Sequence, residues 1–72
     1  MIANDVDFVL SGYKLILQQY FDHVDTVENG QAAFDIVKKK PKDFYDYIFL
    51  DINMPIMNGL EACEAITKYL RE

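Results

Sequence analysis

Two rhythms of apolar and polar positions run along the chain, and the places where one gives way to the other mark its elements. From Asp7 to about Phe21 the apolar residues Val9, Leu10, Tyr13, Ile16, Leu17, Tyr20 and Phe21 recur at three- and four-residue steps, the period of an amphipathic helix. Asp7 is suited to cap that helix. Gly12 inside it costs about 1 kcal/mol relative to alanine, so it either marks close packing against a strand or is tolerated without purpose. The β-branched content of His23-Val24-Asp25-Thr26-Val27 predicts a short strand, closed by the turn formers Glu28-Asn29-Gly30. A second helix is predicted from Gln31 to Lys40, entered at Asn29 or Gly30, with Ala33, Phe34 and Val37 inward and Pro41 as its stop. Tyr47-Ile48-Phe49-Leu50 is an unbroken apolar run between turn formers. Such a run reads as a strand buried on both faces, the habit of a parallel sheet. A third helix starts at Asn58, with Glu61 placed to reach back as in a capping box, and with Ala62, Cys63, Ile66 and Leu70 as its inward stripe. On its outer face Glu64 and Lys68 make a favourable pair of small value. Met1-Ile2-Ala3 is an apolar stub, short for a central strand.

The predicted order is therefore βαβαβα, with no internal repeat, linker or low-complexity segment. Parallel strands joined through helices imply right-handed crossovers and an α/β sandwich. At 72 residues the chain is at most one small domain, near the lower limit for independent folding. Its hydrophobic fraction of 51% is that of a globular core and too high for a disordered tail. A net charge of -5 argues against nucleic acid as a partner, because phosphate binding needs a basic surface. The one basic cluster, Lys38-Lys39-Lys40 with Lys42, falls at a helix C-terminus, where lysines complement the unpaired carbonyls. No apolar run is long enough to span a bilayer, and the N-terminus lacks the pattern of a signal peptide. Cys63, the single cysteine, has no internal partner and is expected to be a small core residue in a reducing compartment. His23, the single histidine, has no cluster of ligands around it and is expected to be structural or solvent-exposed.

The candidate chemistry sits where the last strand breaks. A charged residue has no place inside a buried apolar run, so Asp51 falls at the strand's C-terminal end, where open α/β sheets carry their ligands and reactive groups. The segment Leu50-Asp51-Ile52-Asn53-Met54-Pro55-Ile56-Met57-Asn58-Gly59 resembles the phosphoacceptor segment of response-regulator receiver domains, the aspartate-phosphorylated modules of two-component systems and phosphorelays. The resemblance covers residues 1–72 and matches the first three βα units of that family, including receivers of hybrid histidine kinases. It implies a partial flavodoxin-like three-layer sandwich with parallel strands in the order 2-1-3. It also implies that Asp51 takes a phosphoryl group from a phosphohistidine, and that Asn53 lends a backbone carbonyl to a magnesium ion. Asn4 and Asp5 stand where the family has two adjacent acids. Asp5 and Asp51 then supply the carboxylates of a Mg2+ site, and Asn4 contributes weakly through a metal-bound water. The structural alternative for Asn4 and Asp5 is a turn or helix-entry pair.

By that resemblance the partner is a histidine kinase or a histidine phosphotransfer protein, and the exposed face of the first helix is part of its docking surface. No membrane contact by this segment is expected, and the location is cytoplasmic or the cytoplasmic portion of a membrane sensor kinase. Such a module accepts its own phosphoryl group and is not a turnover enzyme. The family's hydroxyl residue on a fourth strand and lysine on a fifth have no counterpart in these residues. The third strand is then an open edge with apolar surface, and self-association through it is expected. A haloacid-dehalogenase-type phosphatase needs a second aspartate where Asn53 stands. An EF-hand loop opening at Asp51 fails at Pro55 and Ile56. The standing alternatives are a degenerate, unphosphorylated receiver used as a protein-binding module, and an inactive fragment of a larger hybrid histidine kinase.

Overall fold

The computed structural model describes residues 1–72. Three short parallel strands, β1 (Ile2–Ala3), β2 (Thr26–Val27) and β3 (Phe49–Leu50), alternate along the chain with α1 (Asp7–Leu17), α2 (Gly30–Lys39) and α3 (Gly59–Arg71). The sheet order is β2-β1-β3, the partial flavodoxin-like arrangement expected. The N-terminal stub, short as it is, forms the central strand. Its ladder continues past the strand ends: Ile2 and Asn4 donate to Asp25 and Val27 at 2.9 and 3.1 Å, and Phe49 and Asp51 donate to Met1 and Ala3 at 2.9 and 3.0 Å. Four bonds of good length hold what two residues alone would not.

The two faces of the sheet are filled very differently. Met1 and Ala3 join Val27, Ala33, Val37, Met54, Ala62 and Ile66 in one buried cluster beneath α2 and α3. Ile2 and Leu10 are buried outside that cluster, as the period-two alternation of a strand requires. Over this second face α1 covers β1 and little else. Phe49 is consequently 46% exposed, so the expectation of a third strand buried on both faces fails on the α1 side. Of the predicted α1 stripe only Leu10 is fully buried, while Tyr13, Ile16 and Tyr20 remain exposed. The helix also stops at Leu17 and gives way to turns through Tyr20, short of the expected Phe21. Beyond it Phe21 sets its ring against Tyr47 at 5.5 Å between centroids, while Tyr20 is left exposed.

The other helices follow their sequence signals closely. The Asn29 side chain accepts the Ala32 N–H at 2.8 Å and caps α2. At α3 the capping box is complete: Asn58 Oδ1 accepts from Glu61 N–H at 2.8 Å, and Glu61 accepts from Asn58 N–H at 3.1 Å. Cys63, however, is exposed. The buried stripe of α3 runs through Ala62 and Ile66, and a residue beside Ala62 is rotated by about 100° out of it. Glu64 and Lys68 do not pair. The helix pair that does form is Asp35 with Lys38 at 3.7 Å. The basic cluster lies over aromatic rings, Lys38 on Phe34, Lys40 on Phe44 and Lys42 on Tyr69, contacts that suit a cation's attraction to a π face.

Close backbone approach at two glycines ties α2 and α3 to the β3 loop. Gly30 N–H donates to Met57 at 2.9 Å, and Gly59 N–H donates to Ile52 at 3.1 Å. A Cβ on Gly30 would overlap the Met57 carbonyl oxygen and crowd Ala62 at 3.0 Å, and one on Gly59 would overlap the Asp51 carbonyl. Gly12 has open space around it, so its presence in α1 reflects tolerance, not packing. Gly12→Ala is expected to raise unfolding stability by about 0.5–1 kcal/mol. Gly59→Ala is expected to lower it by about 3 kcal/mol, with urea titrations followed by circular dichroism as the measure. Equal effects at the two positions would contradict the packing described.

Candidate functional site

The parallel register decides what meets at the C-terminal end of the sheet. Because Ala3 pairs with Leu50, one further step sets Asn4 beside Asp51, and both are half-buried. Asp51 is fixed from two directions: its N–H bonds to Ala3 at 3.0 Å, and the backbone of Gly59 lies against its carbonyl. Asp5 follows Asn4 and is exposed, as is Asn53 in the loop beyond Asp51. A groove of about 620 Å³ lined by Ile2, Tyr13, Ile16 and Phe49 runs along the α1 face to Asn4 and Asp51.

Asn4 has a second task that sequence reading left as an alternative. Its Oδ1 accepts the Val6 N–H at 2.9 Å, a side-chain turn that leads the chain from β1 into α1. The helix N-cap is therefore Val6, with no side-chain cap, and Asp7 lies in the first turn. This corrects the expected capping role of Asp7. Its carboxylate instead lies beside that of Glu28, and the interaction of the two acids raises the Glu28 pKa. Asp7 and Glu28 join Asp5 and Asp51 at one end of the sheet. The sequence hid this convergence because the pair belongs to α1 and to the turn after β2.

No group of three or more His, Cys, Asp or Glu side chains is gathered closely enough to hold a metal ion. Asp5, Asp51 and the Asn53 carbonyl nevertheless fit the chemistry of magnesium, which takes hard oxygen donors, needs only one or two carboxylates and keeps several waters.

His23 lies elsewhere. Its Nε2 pairs with Asp25 at 2.8 Å, and the same carboxylate accepts a hydrogen bond from the Tyr45 hydroxyl. This cluster stands before β2, at the end of the sheet opposite Asp51, and ties the chain leading to β3 onto it. Burial pushes the Tyr45 pKa up, and the bond to Asp25 adds to the shift. Burial opposes ionisation of Asp25, but the Tyr45 and His23 contacts outweigh it and hold its pKa below the usual carboxylate value. A raised Tyr45 pKa means that its stabilisation is complete below the ordinary value of 10.0 and is lost as pH rises beyond it. The Asp25 contribution is lost only as pH falls below 3.8. Tyr45→Phe is expected to cost about 1–2 kcal/mol at pH 7 and to flatten the loss of stability above pH 10. Thermal melts across pH 7–11 measure both, and an unaltered alkaline slope would remove Tyr45 from this role.

The family model of the response regulator receiver domain matches residues 1–71. The chain is 36% identical to the transcriptional regulatory protein LnrK of Bacillus subtilis, over 97% of this chain and 31% of that protein. It is 30% identical to the chemotaxis protein CheY of Halobacterium salinarum, over 96% of this chain and 55% of that protein. Against the signal transduction histidine-protein kinase BarA of Escherichia coli it is 37% identical, over 92% of this chain and 7% of the kinase. The chain belongs to the response-regulator receiver family, a class of signalling modules of two-component systems that partner with histidine kinases or phosphotransfer proteins. It spans less than two thirds of the length of each of these relatives.

Proposed function

We propose that Asp51 is the phosphoacceptor of a two-component phosphorelay and takes its phosphoryl group from a phosphohistidine of a histidine kinase or histidine phosphotransfer protein. The observation that carries this reading is the position of Asp51. It follows β3, lies one register step beside Asn4, and has its backbone fixed by Ala3 and Gly59. A fixed backbone narrows the positions open to the carboxylate, as an in-line transfer needs. In the transfer an Asp51 carboxylate oxygen forms a bond to phosphorus while the phosphorus–nitrogen bond breaks and its electron pair returns to the imidazole. The product is an acyl phosphate on Asp51.

Asp5, Asp51 and the Asn53 backbone carbonyl would hold Mg2+, with Asn4 contributing weakly through water. When bound, the ion supplies charge neutralisation between the carboxylate and the incoming phosphoryl group. The protein's own contribution is to fix the Asp51 backbone through Ala3 and Gly59. The chemistry is a single acceptance followed by slow hydrolysis, which is why the chain is not classed as a turnover enzyme. It acts in the cytoplasm, or as the cytoplasmic portion of a membrane sensor kinase. No helix is long and apolar enough to cross a membrane, and the acidic net charge of -5 disfavours nucleic acid. The open edge of β3, with Phe49 and Tyr47 exposed beside it, supports self-association as a second contact.

One observation favours the alternative of an unphosphorylated receiver used as a binding module. The Asn4 oxygen that would face a metal-bound water is engaged with Val6. Labelling decides between the two readings. Under the acceptor reading, phosphotransfer from a radiolabelled phosphohistidine donor marks the wild-type chain, and Asp51→Asn abolishes the label. Label that persists in the variant would rule out Asp51.

A further inference from the structure

At the end of the sheet opposite Asp51 the chain leaves a cavity of about 420 Å³ walled by Tyr20, Phe21, Phe44, Tyr45, Tyr47 and Phe49. Its volume falls within the range of small-molecule sites, about 300–1,000 Å³. The rings come from two separate stretches, the one after α1 and the one leading into β3. Packing does not account for their concentration here. Phe44 is 42% exposed, Tyr47 59% and Tyr20 75%, and none of these three packs against the buried cluster beneath α2 and α3. Exposed apolar surface gathered in one place marks a contact.

The rings form two sets. Phe21, Tyr47 and Phe49 follow one another at centroid spacings of 5.5 and 6.3 Å, the last two stacked at 17°. Phe44 meets Tyr45 edge to face at 4.9 Å and 84°. Ring faces turned in different directions suit a cation, which the negative face of each ring attracts. One ring of the set shows this attraction already, since Lys40 Nζ lies 4.8 Å from the Phe44 centroid. The charges agree with it. Asp22 and Asp46 stand on the lining, Asp25 accepts from the Tyr45 hydroxyl, and the chain's net charge is -5. The positive groups on the lining are engaged: the Met1 amino group donates to the Tyr47 carbonyl at 3.0 Å, and His23 pairs with Asp25. An anion entering here meets carboxylates and no free cation.

We infer that this aromatic cavity is a binding site for a small quaternary ammonium molecule of the choline type. A primary ammonium brings three N–H donors that need acceptors, whereas the walls are mostly ring carbon and the two lining carboxylates are exposed to water. A trimethylammonium group has no N–H to satisfy. Its methyl groups pack on the rings, and its charge is drawn by their faces and by Asp22 and Asp46. The site stands apart from Asp51, so its occupation does not depend on which residue accepts a phosphoryl group.

The test is a pair of NMR titrations of the full chain, one with choline and one with dimethylbutanol, the uncharged molecule in which carbon replaces the choline nitrogen. Choline is expected to shift the amides of Phe44, Tyr45 and Tyr47 saturably, with a dissociation constant of about 1 mM or lower. The uncharged molecule is expected to bind about tenfold more weakly. Tyr47→Leu keeps apolar bulk but removes a π face, and it is expected to weaken choline binding about tenfold while the spectrum stays dispersed. Where that variant loses its dispersed spectrum, Phe44→Leu in the other set of rings carries the same expectation, and the comparison of the two ligands on the wild type decides by itself. A choline response that never saturates, equal affinity for the two ligands, or full choline affinity in a folded variant overturns the site.

Discussion

The pairing of β1 with β3 is the constraint on which the rest depends. Only two residues of each strand meet, yet the bonds from Phe49 to Met1 and from Asp51 to Ala3 set the end of one strand beside the end of the other. A slip of one residue would reverse which side chains face α2 and α3. It would also move Asp51 away from Asn4. The buried cluster enforces the register, since Met1 and Ala3 fit beneath α2 and α3 while Ile2 turns the other way. Packing beneath the sheet thus determines where Asp51 stands. Gly59 completes the arrangement by allowing α3 to begin directly against the Asp51 carbonyl.

Much of this was legible in the residues themselves. The period of α2 and its Asn29 cap, the Asn58–Glu61 box and the stop of β3 at Asp51 are local signals, and the structure carries each where local chemistry puts it. What failed was burial. The α1 stripe and the β3 run are apolar by pattern, but a pattern specifies a face and not what covers it, so Tyr13, Ile16 and Phe49 stay exposed. Cys63 was misplaced for a related reason, since an apolar stripe on a helix is wider than the line of residues its neighbour can bury. The reading of Asp5, Asn53 and Asp51 as ligands comes from family resemblance alone, whereas the adjacency of Asn4 and Asp51 comes from the register of the sheet.

Other features were invisible to pattern altogether. The Asp7–Glu28 contact joins residues from separate elements, and the left-handed Ile56 contradicts the backbone preference of its own residue type. Both lie at the end of the sheet that carries Asp51. Departures from local preference are expected where a chain keeps a feature for reasons other than stability. At the opposite end His23, Asp25 and Tyr45 satisfy one another and hold the chain onto β2.

The central claim is that β1 and β3 bring Asp51, Asp5 and Asn53 into one acceptor site. An amide-resolved NMR spectrum of the chain, taken before and after adding magnesium with beryllofluoride as a phosphoryl mimic, tests it most directly. The account requires a dispersed spectrum in which the amides of Asp5, Asp51, Asn53 and Gly59 shift together while those around His23 and Tyr45 stay in place. A dispersed spectrum that does not respond would contradict it.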